Sequence, residues 1–94
     1  MITHVVLFKL KDPSADLDEA VRRLRSLDGN VPVLRTLDVG VDALHSERSY
    51  DIGLIGTLDS LEDLATYQDD PFHREVALYM RSVSERAVTV DYES

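Results

Sequence analysis

The chain has 94 residues, 44% of them hydrophobic, with 18 acidic against 10 basic side chains, no cysteine and a formal charge of −8. Such a length supports one apolar core, and so one domain over residues 1–94. The missing cysteines exclude disulfides, thiolate nucleophiles and zinc sites built on sulfur, and the acidic balance opposes nucleic acid, so no nucleic-acid partner is expected.

Ile2 to Leu10 is rich in Val, Ile and Phe and is stopped by Lys11-Asp12-Pro13, the pattern of a strand. His4 and Lys9 interrupt its apolar run and no small-residue cleavage site follows, so neither a signal peptide nor a membrane span is expected, and the cytoplasm is the default location. Alternation puts His4, Val6, Phe8 and Leu10 on one face and Thr3, Val5, Leu7 and Lys9 on the other. Both faces are largely apolar, which predicts a sheet covered on both sides.

Leu17, Ala20, Val21, Leu24 and Leu27 then recur at helical spacing, with Ser14 or Asp16 as the expected cap and Asp28-Gly29-Asn30 before Pro32 as the stop. Arg22, Arg23 and Arg25 read as the solvated face of this helix. Val33 to Val41 returns to alternation as a second strand, Asp42 to Ser49 is a polar connection holding His45, and Tyr50 to Leu58 is a third strand. A second helix starts at Asp59-Ser60-Leu61-Glu62 and runs to about Gln68, and Asp70-Pro71 caps a further helix carrying His73, Val76, Ala77, Met80 and Val83. Ala87 to Tyr92 alternates as the last strand.

The order strand, helix, strand, strand, helix pair, strand is the βαββαβ arrangement of an α+β, ferredoxin-like fold with a four-stranded antiparallel sheet and helices on one face. Its other face would show Val5, Leu7, Ile52 or Leu54 to water, and a patch of that kind predicts a homodimer formed through the sheet faces.

Several short segments, in this order and spacing, resemble the stress-responsive A/B barrel (Dabb) family over almost the whole chain. They are His4-Val5-Val6-Leu7-Phe8-Lys9-Leu10-Lys11, Val39-Gly40-Val41, Ser49-Tyr50-Asp51-Ile52, Leu64-Ala65-Thr66-Tyr67, Pro71-Phe72-His73 and Val90-Asp91-Tyr92-Glu93. The resemblance implies a dimeric α/β barrel in which two sheets pack face to face. A plant polyketide cyclase of that family performs an intramolecular aldol closure with a tyrosine and a histidine. Tyr67 and His73 keep their separation here, and His4 matches a histidine that lines its cavity.

What the resemblance implies for catalysis is therefore His73 as base and Tyr67 as donor to an enolate oxygen, with His4 and Asp51 binding or orienting the substrate and with no cofactor or metal. The chain departs from the family at Asp70, where histidine commonly precedes the proline, and from the cyclase at Asp51, where another histidine stands nearby; Asp51 could instead pair with His4 or His73. Plain structural roles stand beside these: His4 as a satisfied core histidine, His73 as a half-buried packing residue, Tyr67 as a junction anchor and His45 as a solvated loop residue. The expected function is binding of a small organic ligand between sheet and helices, with cyclase or lyase chemistry. The rival readings are a non-catalytic stress-protective barrel and a monooxygenase of related dimeric barrels.

Overall fold

Four strands and three helices account for most of residues 1–94, all of which a computed structural model describes. They are β1 (Ile2–Leu10), α1 (Pro13–Arg25), β2 (Thr36–Val41), β3 (Ile52–Leu58), α2 (Leu61–Asp69), α3 (Pro71–Val83) and β4 (Ser84–Glu93). The strands form one antiparallel sheet in the order β2-β3-β1-β4. This is the ferredoxin-like α+β architecture expected from the alternation of periods.

The helices begin where side chains can satisfy orphan amides. Asp12, rather than Ser14 or Asp16, caps α1: its carboxylate accepts from the Ala15 amide at 3.3 Å, while the Ser14 hydroxyl donates to it at 2.7 Å. Pro13 then occupies the first helical position, where no amide hydrogen is needed. Ser60 caps α2, accepting from the Asp63 amide at 3.1 Å. Asp70 caps α3 as its sequence context predicts, accepting from the amides of Phe72 at 2.8 Å and His73 at 3.3 Å.

Three strand boundaries differ from the pattern-based reading. β2 starts at Thr36, because Val31 to Leu34 forms a turn closed by the Leu34 amide on the Val31 carbonyl, with Val31 buried as part of the core. β3 starts at Ile52, two residues after the alternation begins. β4 starts at Ser84, directly after α3, and reaches Leu10 through a register shift at Lys9/Leu10.

The core lies between the sheet and the helices. Ile2, Phe8, Leu10, Val39, Ile52, Leu54 and Leu58 supply the sheet side, and Ala20, Leu24, Leu64, Val76 and Met80 the helix side. Ile52 and Leu54 are therefore inward residues, 1% and 2% exposed, and do not belong to the outer face where sequence alone placed them. Their cross-strand partners fix this: Phe8 pairs with Ile52 and Val6 with Leu54, so all four share one face. The outer face instead carries Leu7, Ile55, Val88, Val90 and Tyr92, all exposed, around half-buried Val5.

Candidate active site beneath the third helix

The inward face of β1 presents His4, which is 6% exposed. Across the β1–β4 pair its register partner is Asp91, and the Asp91 carboxylate is hydrogen-bonded to His4 Nδ1. A carboxylate accepts, so Nδ1 carries the proton and Nε2 is left without an intramolecular partner.

Tyr67 occupies the last turn of α2 and is 1% exposed, its ring standing edge-on to His4 with centroids 5.8 Å apart. None of the hydrogen bonds within the chain uses its hydroxyl, and burial pushes its pKa up to about 12. The phenol is a donor that stays protonated across the physiological range.

His73 stands in the first turn of α3, its backbone held by the Asp70 cap, with its ring 4.3 Å from that of Tyr67. Its Nδ1 lies 3.3 Å from the Gln68 carbonyl, which can only accept, so the neutral ring presents Nε2 as a base. Burial lowers its pKa below the usual histidine value; the Gln68 hydrogen bond opposes that shift, and nearby His4 adds to it. The result is a neutral base beside a neutral acid.

These three residues edge a cavity of about 430 Å³ between the sheet and α3. Val6, Phe8, Leu24, Val76 and Met80 give it apolar walls, and Gln68, Arg81 and Ser84 add polar groups. The volume falls within the range of small-molecule sites. No three His, Cys, Asp or Glu side chains gather into a set that would hold a metal ion.

The structure does not bring Asp51 to this cluster. Its carboxylate accepts from the Leu10 amide at 2.7 Å and its own amide donates to the Phe8 carbonyl at 2.8 Å, which staples it to the far end of β1. Asp91 takes the pairing with His4 that Asp51 was considered for. Alternation along β4 places Asp91 on the face of Ala87 and Thr89, but only the strand register reveals His4 as its neighbour. His45 lies in the polar loop with φ of 59° and its ring 3.5 Å from Asp42, apart from the cluster.

The family model of the stress responsive A/B barrel domain matches residues 2–94. A dimeric ferredoxin-like protein of unknown function from Thermobifida fusca is 24% identical with a TM-score of 0.87, the match covering 99% of this chain and 90% of that one. A dimeric protein of unknown function and ferredoxin-like fold from Bacteroides fragilis is 26% identical with a TM-score of 0.87, covering 99% of this chain and 95% of that one. The hydroxynitrile lyase of Passiflora edulis is 18% identical with a TM-score of 0.84, covering 97% and 90%. Among curated proteins, none matches the sequence.

Proposed function

Because the chain belongs to the stress responsive A/B barrel family, we propose that it acts as a homodimer whose cavities bind a small carbonyl compound and catalyse a cofactor-independent, aldol-type or lyase-type reaction. The observation that carries this reading is the convergence of His4, Tyr67 and His73 on one cavity, with the Tyr67 hydroxyl protonated and free of intramolecular bonds.

In this mechanism His73 Nε2 removes a proton from the carbon beside a carbonyl, and the C–H electron pair becomes an enolate. Tyr67 donates a hydrogen bond to the developing oxyanion. The enolate carbon attacks a second carbonyl of the same molecule, a carbon–carbon bond forms, and the new alkoxide takes the proton back from the His73 imidazolium. His4, steadied by Asp91, binds a polar group of the substrate through Nε2. Asp51 has no part in it, since its carboxylate is engaged at the opposite end of β1.

A purely protective barrel would need no reactive cavity, and the open space beside Tyr67 and His73 favours the catalytic reading. In Passiflora edulis a protein of this fold is a hydroxynitrile lyase. The dimer is supported by the apolar outer face of the sheet and by the dimeric descriptions of the bacterial neighbours. Burying such a face stabilises a pair by about 25 cal/mol per Å² before the cost of association.

The test is exchange of the α-protons of a simple ketone in D2O, with particle mass followed by solution scattering. His73→Ala is expected to abolish catalysed exchange while the particle keeps the mass of two chains. Unchanged exchange in that variant removes His73 as the base.

A further inference from the structure

A glycine inside a strand costs chain entropy and packs nothing, and it normally marks the close approach of another group. Gly29 and Gly56 have their reasons within the chain: the first takes a φ of 81°, and a side chain on the second would press on Leu34 at 3.0 Å. Gly40 and Gly53 have none. A side chain at Gly53 would meet Leu7 at an ordinary 3.6 Å, one at Gly40 would have nothing within 4 Å, and neither residue has a left-handed φ.

These two glycines are register partners on the outer face of the sheet, and their row continues through Leu7 on β1 to Val88 on β4. The row is thus empty over β2 and β3 and filled over β1 and β4. Its empty half floors a groove of about 410 Å³ edged by Val5, Tyr50 and Ile55, with Asp38 and Asp42 on the β2 side. Its filled half stands proud, since Leu7 and Val88 are both exposed. The next cross-strand pair beyond them, Lys9 and Arg86, carries like charge.

Two copies of one sheet meeting face to face are related by a two-fold axis lying between them. An axis across the strands would lay each strand on its own counterpart and gather like charges, the acids of both copies over β2 and the arginines of both over β4. An axis along the strands reverses the strand order and keeps each row at its level. β4 of one copy then lies over β2 of the other, β1 lies over β3, and the filled half-row meets the empty one twice. The cations of β1 and β4 also come to face the acidic side of the groove.

We infer that Val88 of each copy fills the space above Gly40 of the other, with Leu7 seated over the second copy's Gly53, so that the two glycines fix the orientation of the pair. This pairing rests on the homodimer proposed above and adds which way the copies face.

Sedimentation of the intact protein reads the dimer dissociation constant for Gly40→Val, for Val88→Gly and for both together, with thermal unfolding showing that each variant folds. Gly40→Val sets valine against valine and Val88→Gly leaves a void, so either is expected to raise the constant by roughly tenfold or more. The double variant exchanges the filled and empty positions and should return to within about threefold of the native protein. A native sample mixed from isotope-labelled and unlabelled chains gives a reading without substitution. Its nuclear Overhauser contacts between copies should run from the Val88 methyls to β2, Gly40 foremost, and not to β4. Losses that add in the double variant, or contacts from Val88 to β4 of the other copy, overturn the pairing and leave the homodimer standing. Should a variant fail to fold, the native contacts decide alone, and their absence from β2 in a dimer overturns the pairing. A native particle of one chain's mass overturns both.

Discussion

Tyr67 closes one helix and His73 opens the next, and the turn between them sets their rings 4.3 Å apart at an angle of 46°. Neither helix alone could do this. The Asp70 cap ends one run of backbone hydrogen bonds and starts another, so the phenol and the imidazole are positioned by backbone geometry more than by their own packing.

Tyr67→Phe separates chemistry from structure. The ring contacts persist and no intramolecular hydrogen bond is lost, so stability to urea should change by less than about 1 kcal/mol. Removal of an oxyanion donor should lower catalysed α-proton exchange by roughly a hundredfold to a thousandfold. A parallel loss of both would mean that the hydroxyl is structural.

The pH profile follows from the two shifts. His73 has its pKa lowered by burial, so below the ordinary value of 6.5 the folded state binds fewer protons than the unfolded one. Stability from this group is present above that value and is lost as pH falls through the depressed one. Tyr67 is the opposite case: raised from 10.0 to about 12, it contributes stability fully present below 10.0 and lost as pH rises towards 12. Exchange activity should accordingly rise with pH through a midpoint below 6.5 and hold a plateau past 10.0. NMR titration of the His73 ring checks the lower limb, and a midpoint above the ordinary histidine value would contradict the burial argument.

Much of this was legible in the sequence. The β1 alternation groups His4 with Val6, Phe8 and Leu10 on one face, and Asp70-Pro71 announces the junction that carries Tyr67 and His73. What stayed hidden was register. Hydrophobic alternation says that two faces exist but not which one meets the helices, and only the pairing of Ile52 with Phe8 and Leu54 with Val6 turns both residues inward. The bond from the Leu10 amide to Asp51 is likewise illegible, because an acid near a strand end has no sequence mark that distinguishes a backbone staple from a ligand. The role of Asp91 is hidden for the converse reason: its partner lies at the other end of the chain.

Two aspartates thus make a paired test. Asp91→Asn weakens the hold on His4 Nδ1 and should cost about 1–3 kcal/mol together with a loss of activity. Asp51→Ala leaves the buried Leu10 amide unpaired and should cost a similar amount, about 1–3 kcal/mol, with kcat/KM unchanged. Urea unfolding and exchange kinetics on both variants decide it. An activity loss in Asp51→Ala without a matching stability loss would return that residue to the site.

The outer sheet face offers a test independent of catalysis. Val88 and Leu7 are cross-strand neighbours and both are 41% exposed. Val88→Glu places a charge in the middle of that patch, and sedimentation should then report a particle of 10.6 kDa in place of one twice that mass. A dimer that survives the change would have to be built on another surface.

β4 does two jobs on alternate residues. Thr89 and Asp91 oppose Val6 and His4, while Val88, Val90 and Tyr92 oppose Leu7, Val5 and Thr3. Inserting or deleting a single residue midway along it would swap these sets, sending the acid to the outside and the valines inward. Relatives that differ in length should therefore differ in the loop before β3 or at the chain ends, and the interior of this last strand should be the stretch where length variation is purged.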